Sequence, residues 1–456
     1  MALSSKRKQL YKDFLHLALP VMVLSILNST LGMADVMMVG SLGEAAVAGV
    51  GLAAKLHFIT ILVILGFAIA GRVLVSQYFG AKHTGKIKES LVLTLFTSTV
   101  MITPFAFLFG FSPENWLQYI STDPAIQKVA GQYLEITAIL VIFSAINLTF
   151  EISLRAIGYT TFPLILGAMA AILNILFNYA FIFGKFGAPE MGVMGAAWGS
   201  FVARSLQFAI LIITLYATNN LLALKFREFK ILTDIKKWRS FFMYALPVVT
   251  TFLIFGIGSS LYYVISGHMG GEALTVISII SPIEALVISL FVGYGEAASI
   301  LVGRALGAKK YRFAWLLRKI AIRYGIMFAI GAGFLLWALH PIILSPFTTL
   351  DSATLALVTS SYLVLCSLIW VKVQNMIIVV GVLRAGGDNT WCLKLEIVSL
   401  WFIGLPATAL VALVYGWSFD LVYLMMFLEG AVKLIASEWR IHQKVWLKNL
   451  TYILND

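Results

Sequence analysis

Ala18-Leu19-Pro20 recurs as Ala245-Leu246-Pro247, Gly80-Ala81-Lys82 as Gly307-Ala308-Lys309, and Leu154-Arg155-Ala156 as Leu383-Arg384-Ala385, at offsets of 227, 227 and 229 residues. A near-constant offset marks a duplicated unit. In an apolar chain, two copies of a six-helix half are the build of an alternating-access transporter, because two half-bundles can rock about a shared central site.

The composition supplies the solvent. Of 456 residues, 60% are hydrophobic and 12% charged, and the mean hydropathy is +0.93. That is more apolar surface than a water-soluble core could hide, so a bilayer must cover the remainder. Apolar stretches of about 20 residues or more, cut by short polar or Gly/Pro clusters, mark the spans. They fall near 14–39, 46–78, 90–111, 126–153, 161–184, 193–217, 240–266, 273–303, 313–339, 353–383, 392–415 and 419–446. The expected fold class is therefore an all-α integral membrane protein with twelve transmembrane helices. The expected domains are a six-helix lobe over 1–220, a basic cytosolic linker over 221–237 and a second six-helix lobe over 238–456.

The net charge of +12 could point to nucleic acid, but the basic residues collect on one membrane face. Lys6, Arg7, Lys8 and Lys12 precede helix one, Lys82, Lys86 and Lys88 follow helix two, Lys225 to Arg239 join the halves, and Arg304 to Lys319 follow helix eight. The opposite loops, such as 111–124 and 340–351, carry no Lys or Arg, with Lys128 and Lys185 the exceptions near that face. By the positive-inside rule both termini lie in the cytosol, and no nucleic-acid partner is needed to explain the charge. The basic start with its apolar run is too long for a signal peptide and lacks a small-residue cleavage site, so helix one is expected to stay. Cys366 and Cys392 read as small buried hydrophobes rather than a disulfide or metal pair. No metal or cofactor motif, phosphate-binding loop or nucleophile elbow is present in the sequence, so transport is expected to run on an ion gradient or downhill.

Ionisable groups inside the spans then become the candidates, since each is costly in hydrocarbon. Asp35 is the sharpest. It lies late in helix one, and at helical spacing Ser25, Asn28, Gly32 and Asp35 share a polar stripe. A carboxylate at such a depth makes a proton its natural ligand. Asn174 and Asn178 stand four apart in helix five, so their amides stack on one face and can complete a cage around Asp35, or serve only as interhelical hydrogen bonds. Ser200 in helix six and Tyr133 in helix four are weaker additions. No cation is evident near Asp35. Pro20 should kink helix one and could act as its hinge, although Pro247 marks the same place in a half with no matching acid. Glu284 and Lys372, both mid-span, are expected to pair, whereas Arg72, Arg204, Glu296, Glu429 and Lys433 read as snorkelling near span ends. Phe67, Met33, Met37 and Met38 read as packing.

The duplicated halves, the Ala-Leu-Pro start of each, the acid late in helix one, the Leu-Arg-Ala-x-Gly turns after helices four and ten and the Leu-Asn-Ile-Leu-Phe-Asn-Tyr segment over 173–179 together resemble the multidrug and toxic compound extrusion (MATE) family. The likeness covers essentially the whole chain. It implies two pseudo-symmetric six-helix lobes in a V shape that export cationic or amphipathic drugs in exchange for protons or sodium. Helices seven and ten lack the acids of the sodium-coupled branch, with Lys372 in helix ten instead, while Asp35 with Asn174 resembles the DinF-like branch. That branch usually has an aspartate where this chain has Asn178, so Asp35 alone remains to titrate.

The resulting expectation is a proton-coupled antiporter, acting as a monomer in a bacterial cytoplasmic membrane, that exports lipophilic or cationic drug-like molecules. Asp35 is the proton-coupling residue, Asn28, Tyr133, Asn174, Asn178 and Ser200 form its hydrogen-bond network, and Pro20 is the hinge. A sodium-coupled exporter and a lipid-linked saccharide flippase of the same superfamily are the alternatives. An intramembrane enzyme is disfavoured because no nucleophile and base pair stands out.

Overall fold

A chain surrounded by hydrocarbon must satisfy its backbone hydrogen bonds within each segment, which long helices do. The computed structural model describes the backbone of residues 2–454 and their side chains except 2–11, 29, 30, 32, 33 and 36. Lys6, Arg7, Lys8, Gly32 and Met33 thus lie outside the described side chains. Among the described residues the protein is helical, with no strand. The order is α1 (Ala2–Gly40), α2 (Glu44–Gly80), α3 (Thr84–Gly110), α4 (Pro124–Ile157), α5 (Thr161–Phe183), α6 (Val193–Ala217), α7 (Ile235–His268), α8 (Gly271–Gly307) and α9 (Tyr311–Leu344). Then come α10 (Ser352–Gly386), α11 (Asn389–Val414) and α12, which is made of Phe419–Met426 and Leu428–His442. The ten helices α2 to α11 are each long and apolar enough to cross a membrane. With α1 and the broken α12 they keep the order of twelve expected spans.

The repeated triplets fold alike. Lys82 and Lys309, one in each Gly-Ala-Lys turn, both take left-handed backbone, at φ 60 and φ 57. The two Leu-Arg-Ala-x-Gly turns both end on a left-handed glycine, Gly158 at φ 104 and Gly387 at φ 78, where a side chain would be strained. Two details escape a reading of composition. The second half carries π-helical turns at Val379–Leu383, Ile397–Gly404 and Leu410–Val414. The last span also stops at His442 rather than 446, and Trp446 turns back into a buried position against Gly386.

By contacts the chain divides into two units, one of residues 1–22 with 250–450 and one of 23–249 with 451–456. The division cuts α1 and α7 in their interiors, two residues after Pro20 and two after Pro247. A glycine seats each crossing helix. In one unit a Cβ on Gly66 of α2 would stand 2.6 Å from the Cα of Val249 in α7. In the other, a Cβ on Gly293 of α8 would stand 2.7 Å from the backbone nitrogen of Met22 in α1. Gly66 and Gly293 are 227 residues apart, as are Met22 and Val249, so the two crossings are copies of one another. The N-terminal part of α1 is further held by Phe14, Leu17 and Ala18 in the core of α8, α10 and α11, with Phe14 against the Tyr294 ring at 4.5 Å.

A methyl at either crossing must displace backbone, so Gly66→Ala and Gly293→Ala are each expected to cost about 1–3 kcal/mol, the range for overpacking. Gly51→Ala in α2, with nothing within 4 Å of its Cβ, should be neutral or slightly stabilising. Thermal-shift measurement of the three purified variants checks this; equal melting temperatures would remove the constraint.

Candidate functional site

The C-terminal half of α1 packs with α4, α5 and α6. Gly167 of α5 faces Leu24 of α1 closely, and Gly195 and Gly199, one turn apart on α6, face the α5 backbone at Phe181 and Asn178. Small residues at this spacing let helices approach within polar side-chain reach. Ala46, Ile182 and Ala196 close round Val39, with the partly buried Tyr133 packed against them.

Within this packing lies a line of polar side chains. Asn178 donates through Nδ2 to Asp35 Oδ1 at 2.9 Å and to Asn174 Oδ1 at 3.2 Å, and Asn174 Nδ2 donates to Ser200 Oγ at 2.9 Å. Asn178 is 1% exposed and Asn174 6%, so both amides are removed from water while Asp35 is only half-buried. Asn178 spends both amide hydrogens on this line. Its Oδ1 is buried without a hydrogen-bond partner, pressed against Gly199 where a Cβ would collide with it. Tyr133 lies within reach of both the Ser200 hydroxyl and the Asp35 charge. Asn28 is exposed and forms no hydrogen bond among the described residues, so it stands apart from this line. Pro20 lies inside α1, fifteen residues before Asp35, at the passage between units.

Arg204 corrects two expectations. It sits one turn beyond Ser200 in the interior of α6, close enough for its charge to act on Asp35, so the carboxyl does have a cation nearby. Its Nη1 donates to Gln207 Oε1 at 2.8 Å, and Gln207 Nε2 donates to Glu151 Oε1 at 2.7 Å, which places Arg204 in an internal network rather than snorkelling. Glu151, 8% exposed in α4, is a further in-span acid, legible in the sequence as a charge costly in hydrocarbon.

The other unit carries its own polar clusters. Lys372 Nζ pairs with Glu284 Oε1 at 2.5 Å, as expected, and Tyr423 donates to Glu284 Oε2 at 2.8 Å. Lys433 Nζ lies 2.8 Å from Glu396 Oε1 and 3.6 Å from Glu429 Oε1, and Tyr262 donates to Glu429 Oε2 at 2.9 Å. Glu429 and Lys433 therefore do not snorkel; they neutralise one another inside the fold with Glu396, because an unpaired charge there would be far costlier. Arg72 and Glu296, 2% and 4% exposed, are buried as well. Phe67, 2% exposed, does pack in the core, whereas Met37 is 75% exposed. Tyr262, Glu429 and Lys433 lie 227, 229 and 229 residues after Asp35, Ser200 and Arg204. The two halves thus build polar clusters at corresponding places from different residues. Among the described residues no group of His, Cys, Asp and Glu could hold a metal ion.

A family model described as MatE matches residues 20–180 and 247–410, starting at Pro20 and again at Pro247. The chain is 22% identical over 431 residues to the uncharacterized transporter YisQ of Bacillus subtilis (strain 168), across 94% of this chain and 93% of that protein. It is 27% identical over 328 residues to a probable multidrug resistance protein NorM of Thermotoga maritima, 68% of each chain. Among solved structures, the Vibrio cholerae MATE transporter VcmN matches at TM-score 0.87 and 17% identity, covering 98% of this chain and 99% of that one. The eukaryotic MATE transporter AtDTX14 matches at TM-score 0.84 and 17% identity over 98% of each. At these identities the structural likeness speaks to the fold.

Because Gly199 seats Asn178, Gly199→Ala should separate α5 from α6 and break the Asn178 to Asp35 bond. The expected outcome is a helical protein by circular dichroism whose melting temperature drops by several degrees, as for about 1–3 kcal/mol of overpacking. An unchanged melting temperature would mean that the close approach is not needed.

Proposed function

This chain belongs to the MatE family and is a multi-pass membrane transporter, not an enzyme; on that premise we propose that it is a proton-coupled antiporter exporting lipophilic or cationic drug-like molecules. Export of drug-like molecules is supported by the probable multidrug resistance proteins among its relatives, and their lipophilic or cationic character is part of the proposal. The address is a bacterial cytoplasmic membrane with both termini in the cytosol, an orientation supported by the one-sided Lys and Arg distribution.

The observation that carries the coupling ion is the direction of the Asn178 amide. A bare sodium ion needs several oxygen ligands and gains from negative charge. Here Asn178 turns its NH₂ toward Asp35 and Asn174 and its oxygen away, so Asp35 is one carboxylate held by a donor. Such a site suits a proton. With Asp35 ionised, Asn178 donates to a full negative charge; with Asp35 protonated, a carbonyl oxygen can still accept that hydrogen in a weaker neutral bond, while the new O–H becomes a donor that needs an acceptor of its own. Loading the proton therefore weakens the α1–α5 contact by about the difference between a charge-assisted and a neutral hydrogen bond, ~1 kcal/mol, and adds a donor in search of a partner, which together bias two discrete arrangements. Pro20 is the place where α1 can absorb the change. It lacks the N–H that would tie the preceding turn, and the residues before it pack in the other unit's core.

The test is dye efflux from proteoliposomes under an imposed pH gradient. Wild type is expected to show gradient-driven efflux, Asp35→Asn to lose it by roughly tenfold or more, and Pro20→Ala to retain substrate binding with slower efflux. Efflux that persists in folded Asp35→Asn would sink the coupling assignment, and a wild-type rate in Pro20→Ala would remove the hinge. Asn178→Asp adds the second carboxylate that a metal cation would favour, so it should make efflux respond to sodium where wild type does not. Sodium-driven efflux by wild type would reverse the choice of ion.

A further inference from the structure

Two of the ion clusters in the unit formed by 1–22 and 250–450, those built on Glu284 and on Lys433, differ in access. In the Glu396, Lys433 and Glu429 cluster the side chains are 10–12% exposed, so it is sealed. In the Glu284 and Lys372 pair they are 20% and 27% exposed, so a solute can reach it. Both residues stand at least 13 positions from either end of their helices, about 20 Å of helix. An ion pair at that depth would not face hydrocarbon, so its open side is wetted.

The surroundings of the Lys372 ammonium are those that recognise organic cations. The Glu284 carboxylate takes it at 2.5 Å, and the Phe427 ring lies 4.6 Å from it. Glu284 is itself fixed by the Tyr423 hydroxyl at 2.8 Å, and Tyr423 and Phe427 are each 3% exposed, with their rings packed edge to face. A carboxylate beside an aromatic face binds an alkylammonium or phosphonium by charge and by cation–π attraction. The hydroxyl and the ring belong to buried side chains, and the hydroxyl holds the carboxylate, whereas the cation is carried on a flexible four-carbon stem that can withdraw.

The geometry points to a binding site for a lipophilic organic cation, formed by Glu284, Tyr423 and Phe427, which the protein's own Lys372 fills until substrate displaces it. Lys372 is then a tethered competitor. It keeps the carboxylate neutralised when the site holds no substrate, and it sets a threshold that a weakly binding cation does not pass. This deepens the exporter reading by naming the substrate chemistry and rests on that reading for its purpose, although binding itself does not depend on the coupling ion.

The measurement is equilibrium binding of tetraphenylphosphonium to the purified full chain in lipid nanodiscs. Lys372→Met, which keeps the stem and removes the charge, should tighten binding about tenfold, the effect of removing ~1.4 kcal/mol of competition. Glu284→Gln should weaken it about tenfold, and the gain from Lys372→Met should vanish in the Lys372→Met/Glu284→Gln pair. Lys372→Arg, which keeps the cation and is the variant least disturbing to the fold, should bind no tighter than wild type. Binding by Lys372→Met no tighter than wild type, by Glu284→Gln as tight as wild type, or by Lys372→Arg tighter than wild type, would each overturn the proposal. Tightening in Lys372→Met together with a wild type that shows no gradient-driven efflux would leave this site standing and remove the exporter reading instead.

Discussion

The fold depends on two helix crossings where backbone meets backbone, Gly66 against Val249 and Gly293 against Met22. Hydrocarbon gives helices no hydrophobic reason to associate, so packing at small residues must supply much of the attraction. At these two glycines it takes α1 from one unit to the other, and α7 likewise. Because the residues concerned are related by the same 227-residue interval, a single ancestral contact accounts for both. Pro20 and Pro247 sit beside the crossings, where a helix that must serve two packing environments gains from a missing hydrogen bond.

The polar line at Asp35 depends on the same device on a smaller scale. Gly167, Gly195 and Gly199 bring α1, α5 and α6 together closely enough for one amide to bridge a carboxylate and a neighbouring amide. Duplication then left the halves free to diverge at the corresponding place. Where the first half has Asp35, Ser200 and Arg204, the second has Tyr262, Glu429 and Lys433, so the acid has moved from the first helix of its half to the sixth. Tyr262 and Glu429 meet beside Gly404, at the end of a π-helical stretch where the helix is locally widened. In the first half the carboxylate is half-buried; in the second it is paired and enclosed. A group that must exchange its ligand needs access, and a group that holds helices together does not.

Charge placement was the least legible part. Arg204, Glu429 and Lys433 can be read as snorkelling because a linear sequence shows only their distance from span ends. Their partners Gln207, Glu396 and Tyr262 come from a neighbouring turn or from other helices. Glu284 and Lys372 were readable as a pair because each would be isolated deep in its span, which leaves few ways to pay the desolvation cost. The π turns left no trace in composition, since a hydrogen bond that spans one more residue changes the backbone pairing without changing hydropathy.

Helical class, order of spans and duplication can all be read from the linear chain, because hydrocarbon admits only self-satisfied backbone and a repeat is a statement about order along the chain. Asp35, Asn174 and Asn178 are likewise legible there as polar residues within spans, since their cost in hydrocarbon is a property of each residue alone. It took the folded molecule to fix which way the Asn178 amide points, that Arg204 stands within range of Asp35, that α1 and α7 pass between units, and that Lys372 lies over the Phe427 ring. Those are facts about pairs of side chains on different helices, and helical periodicity specifies the face of each helix without specifying which neighbour that face will meet.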